Sequence, residues 1–317
     1  MKKTLIALAA LASSAAFAQS SVTLYGVADA GFGKVTDQSG KLVSGDTLNN
    51  GTSRWGVRGT EDLGGGLKAG FNFEQGLNLT DGSISKAGGG EFGRAAWVNL
   101  SGGFGDIRLG RSLTAAFYGV SAWELTGTAN YSVVGNQFGY SAASARYSSQ
   151  ILYTSPSFSG FSFAIGHVLK GNNEDNSITA LNAIYKNGPL VASLAYSKAK
   201  SEEDGHKAIG ARYSFGSFTL GGGIFDPEGD SKGFSLGGSV NAGPVILTLD
   251  VARDTEYKDT DVLFEAKYPL SKRTFTYLSV LRDGNKKAGG LARAAQAAGT
   301  AAGENVTGVG LGIRHNF

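Results

Sequence analysis

Apolar and polar residues alternate along a tract in the first third of the chain. Residues 67–79 read LKAGFNFEQGLNL, and the apolar positions 67, 69, 71, 73, 77 and 79 are interrupted only by Gln75. The positions between them carry lysine, glutamate, asparagine and glycine. Successive side chains of a β-strand point to opposite faces. The tract therefore predicts a strand with one apolar face and one polar, charged face.

Similar tracts recur over residues 22–317 and predict about sixteen strands. Short glycine-containing links such as 63–66 and 186–189 alternate with longer links such as 34–52 and 283–305. After the first residues, no segment approaches the ~18 uninterrupted apolar residues of a membrane-spanning helix. Open sheet edges are not tolerated in lipid, so such a chain crosses a membrane only as a closed barrel. An even number of strands with alternating short turns and long loops is typical of an outer-membrane barrel.

The first eighteen residues have the features of an export signal. Lys2 and Lys3 precede an apolar run at 5–11, and Ala16-Phe17-Ala18 forms a small-residue cleavage site. We therefore predict a cleaved signal peptide over 1–18 and an all-β, transmembrane antiparallel barrel over 19–317. An amphipathic last strand that ends in an aromatic residue, Phe317, agrees with delivery to the outer membrane of a Gram-negative bacterium.

Charge and composition narrow the function. Removal of the two leader lysines lowers 29 Lys and Arg to 27, against 26 Asp and Glu, so a nucleic-acid partner is not expected. Cysteine is absent, which excludes disulfides and thiolate metal sites. The acids Asp226, Glu228 and Asp230 are compatible with Ca²⁺, but a solvated loop is the favoured interpretation. No cofactor or metal is expected.

Several arginines fall on the predicted polar face. The alternation places Arg54, Arg58 and Arg94 opposite Trp55, Val57 and Trp97. A lipid-facing arginine at the bilayer midplane costs roughly 2–4 kcal/mol, which favours the lumen. The alternative is a position at a strand end, where the side chain reaches solvent. The lumen candidates are Arg54, Arg58, Arg94, Arg108 and Arg146.

The segment between Arg111 and Arg146 breaks the strand pattern. It is rich in aromatic residues, and its one acidic or basic side chain is Glu124, leaving tyrosines aside. Long loops in compact folds are usually functional, and the aromatic content argues against disorder. We expect this third loop to fold into the lumen and narrow it, with arginines setting an anion preference. Glu74 and Asp29 also point inward, and their pairing with arginines would weaken that preference.

The alanine- and glycine-rich stretch 286–303 is the most biased segment of the chain. A mobile surface loop is the favoured interpretation. The alternative is a segment that folds inward and offers Arg293 to the pore.

The chain resembles the trimeric general porins of Gram-negative bacteria, in particular the neisserial and β-proteobacterial branch. The resemblance spans nearly all of residues 19–317 and is carried by two long tracts, SRWGVRGTEDLGGGLKAGFNFEQ at 53–75 and FGRAAWVNLSGGFGDIRLGR at 92–111. Shorter matches are VTLYG at 22–26, YTSPSFSGF at 153–161 and the ending GIRHNF.

The resemblance implies a sixteen-stranded barrel, a homotrimer in outer-membrane lipid, and passage of small ions and hydrophilic solutes. It also implies a basic cluster of Arg54, Arg94 and Arg146 at the constriction, faced by the loop around Glu124. The chain departs from the family pattern with Ser148-Ser149 after Arg146, and its third loop is poor in acids.

Two other classes of protein are alternatives. An outer-membrane lipase or protease needs a nucleophile, a base and an orienting group. The three histidines, His167, His206 and His315, lie in no catalytic motif, and GxSxG is absent. An enzyme is therefore not expected. A structural or adhesin barrel, or a secreted sandwich, is the second alternative, disfavoured by the even strand number and the inward arginines.

Overall fold

The computed structural model describes residues 21–85, 90–142, 144–171, 176–287, 290–297 and 299–317. The predicted signal peptide at 1–18 lies outside the described residues.

Strands account for most of the described chain. They are β1 (Ser21–Val35), β2 (Lys41–Val43), β3 (Arg54–Gly64), β4 (Leu67–Leu77), β5 (Ile84–Ser85), β6 (Ala95–Gly102), β7 (Gly105–Leu113), β8 (Arg146–Thr154), β9 (Phe161–Val168), β10 (Ile178–Asn187), β11 (Leu190–Ala199), β12 (His206–Phe215), β13 (Phe218–Asp226), β14 (Gly233–Ala242), β15 (Val245–Asp254), β16 (Asp259–Pro269), β17 (Thr274–Asp283) and β18 (Val306–Asn316). The helices are α1 (Ala115–Ser121), α2 (Val133–Gln137) and α3 (Gly290–Ala297). Within the described residues, no helix has the length and apolarity needed to span a membrane.

Sixteen of these strands form one closed antiparallel barrel. The other two, β2 and β5, are short strands within loops and are not counted in the wall. Each long strand pairs with its sequence neighbours, and β1 pairs with both β3 and β18. The β1–β18 seam runs from Val27↔Asn316 to Val35↔Gly308. The prediction of an all-β barrel of about sixteen strands is confirmed.

The barrel wall is apolar on the outside. On β15, Leu249 is 54% exposed, whereas its neighbours Thr248 and Asp250 are 1% and 2% exposed. This order is the reverse of that in a water-soluble barrel, and it suits a wall that faces lipid outside and polar groups inside.

The connections alternate in length as the sequence predicts. Two-residue turns, for example 216–217 and 243–244, join strands at one end of the barrel. The link after β3 uses Gly64, Gly65 and Gly66 at positive φ, a conformation that side chains with a Cβ disfavour. Longer loops join strands at the other end, and the third of them covers residues 114–145.

This third loop packs against the wall rather than extending into solvent. Thr114 and Ser132 cap α1 and α2 by accepting hydrogen bonds from Phe117 N and Gly135 N. Helix α1 contacts β10 and β11, and α2 contacts β15 and β16. Its apolar residues, including Trp123 and Tyr131, are buried in the main hydrophobic cluster of the protein.

The alanine-rich stretch differs from the expected mobile loop, because part of it forms α3. Leu291, Ala292 and Ala295 on this helix are buried. Alanine is the best helix former, so a run of alanines folds readily once an apolar surface is available. Arg293 is exposed and borders a cavity of about 1040 Å³ shared with Lys287 and His206.

Candidate pore constriction

A cavity of about 380 Å³ lies between the third loop and one arc of the barrel wall. Four arginines line it, and we refer to them as the arginine cluster: Arg54, Arg94, Arg146 and Arg314. The third loop contributes Phe117, residues 127–130 and Asn136. The structure thus brings together Arg54, Arg94 and Arg146, the three arginines that the family resemblance implies.

Strand ends position the arginine cluster. Arg54 and Arg146 are the first residues of β3 and β8, and Arg94 immediately precedes β6. Arg314 lies near the end of β18, where it pairs in register with Asp29 of β1. These strands all lie on the arc that runs from β18 through β1 to β8. The four guanidinium groups therefore come from one side of the barrel.

Glu74 on β4 holds two of the four arginines. Its carboxylate lies 2.7 Å from Arg94 Nε and 3.4 Å from Arg54 Nε. It also accepts a hydrogen bond from Tyr25 Oη at 3.0 Å. Arg54 donates in addition to the carbonyl oxygen of Thr52 at 2.9 Å. One carboxylate thus forms ion pairs with two arginines, and the pair with Arg94 is also a hydrogen bond.

The other two arginines are held by neutral acceptors. Arg146 Nε donates to the carbonyl oxygen of Arg94 at 3.1 Å, and Arg314 Nη1 donates to Asn50 Oδ1 at 2.7 Å. Among the described residues, neither has a carboxylate oxygen within 4.0 Å. Four arginines and one paired carboxylate leave a formal charge of +3 at this cavity.

Arg58 and Arg108 lie apart from the cluster. Arg58 is exposed, with its guanidinium carbon 5.0 Å from the ring centre of Tyr25. Arg108 lies 4.1 Å from the ring centre of Trp97 and has a nitrogen 3.7 Å from Asp106 Oδ1. Neither arginine borders the cavity. Both guanidinium groups are stabilised by an aromatic face.

The predicted orientation of Trp97 is wrong. Trp97 pairs in register with Asn72 of β4, which itself pairs with Arg58 of β3, so Trp97 shares the polar face. Arg94 is not part of the alternation, because β6 begins at Ala95 and the Arg94 side chain turns towards Glu74. The alternation of side-chain direction does not apply to a residue that precedes the strand.

Glu124 lies inside the third loop instead of facing the arginines. It is 1% exposed, and its carboxylate accepts hydrogen bonds from Thr126 Oγ1 at 2.6 Å, Ser132 Oγ at 2.7 Å and Thr128 N at 2.7 Å. Charge-assisted bonds of this kind are strong. The carboxylate does not border the cavity. Its evident role is to fix the fold of the loop.

Asp29 is likewise enclosed. It is fully buried and accepts hydrogen bonds from Tyr277 Oη at 2.7 Å, Gly51 N at 2.8 Å and Asn49 Nδ2 at 3.3 Å. Within the described part of the chain, no arginine nitrogen lies within 4.0 Å of it. Asp29 therefore anchors the first loop and does not pair with the arginine cluster.

Small residues of the wall receive the third loop. A Cβ at Gly210 would lie 2.2 Å from Trp123, and one at Gly223 would lie 2.7 Å from the same ring. The indole therefore fits only because both wall positions are glycine. Ser193 Oγ donates to the carbonyl oxygen of Gly119 at 2.6 Å and holds α1 to β11.

A second anchor joins the loop to β16. Tyr131 Oη donates to Glu265 at 2.6 Å, and Lys267 Nζ donates to the carbonyl oxygen of Thr126 at 3.1 Å. Burial, reinforced by the negative charge of Glu265, raises the pKa of Tyr131 well above its ordinary value. The phenol therefore stays a neutral donor at physiological pH.

Sequence reasoning missed Arg314 as a member of the arginine cluster. The signal was present, since Val309, Leu311 and Ile313 share the apolar face and the alternation places residue 314 opposite them. Its proximity to Arg54 depends on the pairing of the last strand with the first, which a local pattern does not encode.

Comparisons with known proteins agree with this architecture. A family model described as Gram-negative porin matches residues 4–288. The chain is 37% identical to outer membrane porin protein 32 of Delftia acidovorans over the full length of both. It is 36% identical to the major outer membrane protein P.IB of Neisseria lactamica, over 62% of this chain and 58% of that protein. The solved anion-selective porin from Comamonas acidovorans superposes with a TM-score of 0.75 at 31% identity, covering 94% of this chain and all of that one.

Proposed function

Since the chain belongs to the Gram-negative porin family, we propose that it conducts small anions preferentially through a constriction lined by the arginine cluster. Its location is the outer membrane of a Gram-negative bacterium, and general diffusion through a water-filled barrel is its activity. The observation that carries the proposed anion preference is the excess of four arginines over one carboxylate at the cavity.

The proposal places the third loop inside the lumen. Support comes from the contacts of α1 with β10 and β11 and of α2 with β15 and β16, on strands far around the barrel from β3. Tyr131 of the loop donates to Glu265 on the buried face of the wall, and Ser193 of the wall donates to the carbonyl oxygen of Gly119 in the loop. A loop held there narrows the channel and sets the largest solute that passes.

Electrostatics then favours anions. A positively lined constriction with low-dielectric walls concentrates field lines and raises the local anion concentration. The acid on the third loop, Glu124, is enclosed by its own hydrogen bonds, so it does not offset the arginines at the cavity. The related porin from Comamonas acidovorans is described as anion-selective, which agrees with this proposal.

The reversal potential across a KCl gradient in a planar bilayer tests this function. Step conductances with a potential of the sign for chloride preference are expected. A potassium preference would keep the porin and overturn the role of the arginine cluster. A well-folded barrel without conductance would instead favour the enzyme or structural alternatives.

We also propose that three copies assemble, as the family resemblance implies. Light scattering of the unheated protein in mild detergent should give three times the mass of the chain after subtraction of detergent. A monomeric mass would contradict the trimer without affecting the pore.

A further inference from the structure

Three buried carboxylates meet at the end of the barrel that carries the long loops. Asp259 and Asp261 begin β16, and Asp283 ends β17. Their exposed fractions are 0%, 2% and 2%. One oxygen from each lies within 4.8 Å of the other two. We call this group the aspartate cluster.

No basic side chain balances the aspartate cluster within the described residues. The nearby Lys287 Nζ turns elsewhere, to Ser231 Oγ at 2.6 Å, the carbonyl oxygen of Gln137 at 2.8 Å and Asp254 at 3.7 Å. The hydrogen bonds that the three carboxylates accept come from neutral backbone N–H groups, those of Gly284, Asn285, Lys286, Lys287 and Ala292. Three buried carboxyl groups therefore lie together with no basic side chain within 4.0 Å of them among the described residues.

One oxygen of the cluster has no partner at all. Asp259 Oδ2 accepts from the N–H groups of Lys286 and Lys287, at 2.9 and 2.8 Å, whereas the buried Asp259 Oδ1 accepts no hydrogen bond. A buried carboxylate oxygen without a donor is unfavourable. It would be satisfied by a cation.

The spacing of the oxygens fits a large divalent ion. Three oxygens no more than 4.8 Å apart have a common point within about 2.8 Å of each, and small side-chain adjustments bring this to the 2.3–2.6 Å of Ca²⁺–O bonds. Mg²⁺ needs about 2.0–2.1 Å and an octahedral shell. The carboxylate chemistry and the distance both favour calcium.

We propose that Asp259, Asp261 and Asp283 bind a Ca²⁺ ion at the outer rim of the barrel. The ion neutralises the aspartate cluster and ties loop 284–305 to the β15–β16 hairpin. Lys287 extends this link, since its N–H bonds Asp259 and its ammonium group bonds Gln137 of the third loop. Calcium thereby stabilises the loops that surround the pore mouth. The inference does not depend on the ion preference of the pore.

Calorimetric titration of CaCl₂ into EDTA-washed protein in a non-ionic detergent tests the proposal. One saturable site per chain is expected, with at least tenfold weaker binding of MgCl₂. Asp261→Asn should weaken calcium binding at least tenfold. The control Glu304→Gln makes the same charge change at an exposed acid of the same loop and should leave it unaltered. A wild-type titration without saturable calcium heat would overturn the site.

Limited trypsin digestion gives a second readout that does not require a variant. The exposed Lys286 and Arg293 are cleavage sites in loop 284–305. Calcium should slow cleavage there at least threefold relative to EDTA, while MgCl₂ has a smaller effect. Equal cleavage in calcium and EDTA would contradict the stabilising role. Asp261→Asn that binds calcium like the wild type would exclude these ligands.

Discussion

Replacement of Arg146 by glutamine offers the cleanest test of the arginine cluster. Among the described residues, Arg146 has no ion-pair partner, and its guanidinium group donates one recorded hydrogen bond, to the carbonyl oxygen of Arg94. Glutamine retains a donor for that carbonyl. Arg146→Gln therefore lowers the formal charge of the cavity from +3 to +2 and leaves Glu74 fully paired.

The size of the effect follows from Coulomb's law. One charge about 5 Å from a passing ion contributes about 0.8 kcal/mol at a dielectric constant of about 80, and 0.1 M salt reduces this to about 0.5 kcal/mol. The contribution has opposite signs for chloride and potassium. The permeability ratio should therefore change by about 1 kcal/mol, or about fivefold.

The assay is the reversal potential across a KCl gradient near 0.1 M, repeated near 1 M. At about 1 M the Debye length is about 3 Å, and the predicted change in the ratio falls to about 1.7-fold. Arg58→Gln is the matched control, since Arg58 lies four residues along β3 from Arg54, about 13 Å away, and outside the cavity. It should change the ratio by no more than about 1.4-fold. Equal effects of the two substitutions, or an Arg146→Gln effect that does not fall with salt, would refute the reasoning.

Three further predictions concern the same region. Glu74→Gln raises the formal charge of the cavity to +4 and should increase chloride preference about fivefold at 0.1 M KCl. The control Glu61→Gln, at an exposed position, should leave the preference unchanged. An unchanged permeability ratio in both variants would mean that Glu74 acts only structurally. Gly210→Ala places a methyl group against the Trp123 ring and should loosen the third loop, giving noisier single-channel currents. The control Gly103→Ala adds its methyl group in open space and should not change the currents. Identical current traces for the two variants would show that the loop is held by other contacts. Glu124→Gln removes the charge from a buried acceptor of three hydrogen bonds and should lower the free energy of unfolding by about 1–3 kcal/mol, with less than twofold change in ion preference. A preference change as large as that of Arg146→Gln would place Glu124 at the pore.

Local sequence patterns are sufficient to predict the strands and turns of the barrel wall. Alternation along residues 67–79 predicted β4, and the glycine links and long loops predicted the order of turns, because strand period and turn chemistry are properties of neighbouring residues. The placement of Arg54 on the polar face followed from the same period. The Arg94 side chain lies on the same side for a different reason, because it forms an ion pair with Glu74.

The three-dimensional positions of the functional side chains cannot be predicted from these local patterns. Glu124 carries the charge of the third loop, yet whether it faces the pore or its own loop depends on how Ser132 and Thr126 fold back on it. The meeting of Asp259, Asp261 and Asp283 depends on the pairing of β16 with β17 and on the start of the following loop. Each of these sites forms between residues that meet only once a loop has folded or two strands have paired.

The seam between β1 and β18 has a consequence for biogenesis. It joins the first strand to the last through nine register pairs, and Phe317 exchanges backbone hydrogen bonds with Gly26 beside it. Arg314 arrives at the cavity on that last strand, whereas Arg54 belongs to β3. The proposed charge filter is thus completed by the same event that removes the final sheet edges from lipid. If the arginine cluster is the filter, a partly inserted chain has neither a sealed wall nor all four arginines in place, and selectivity is expected only when assembly ends.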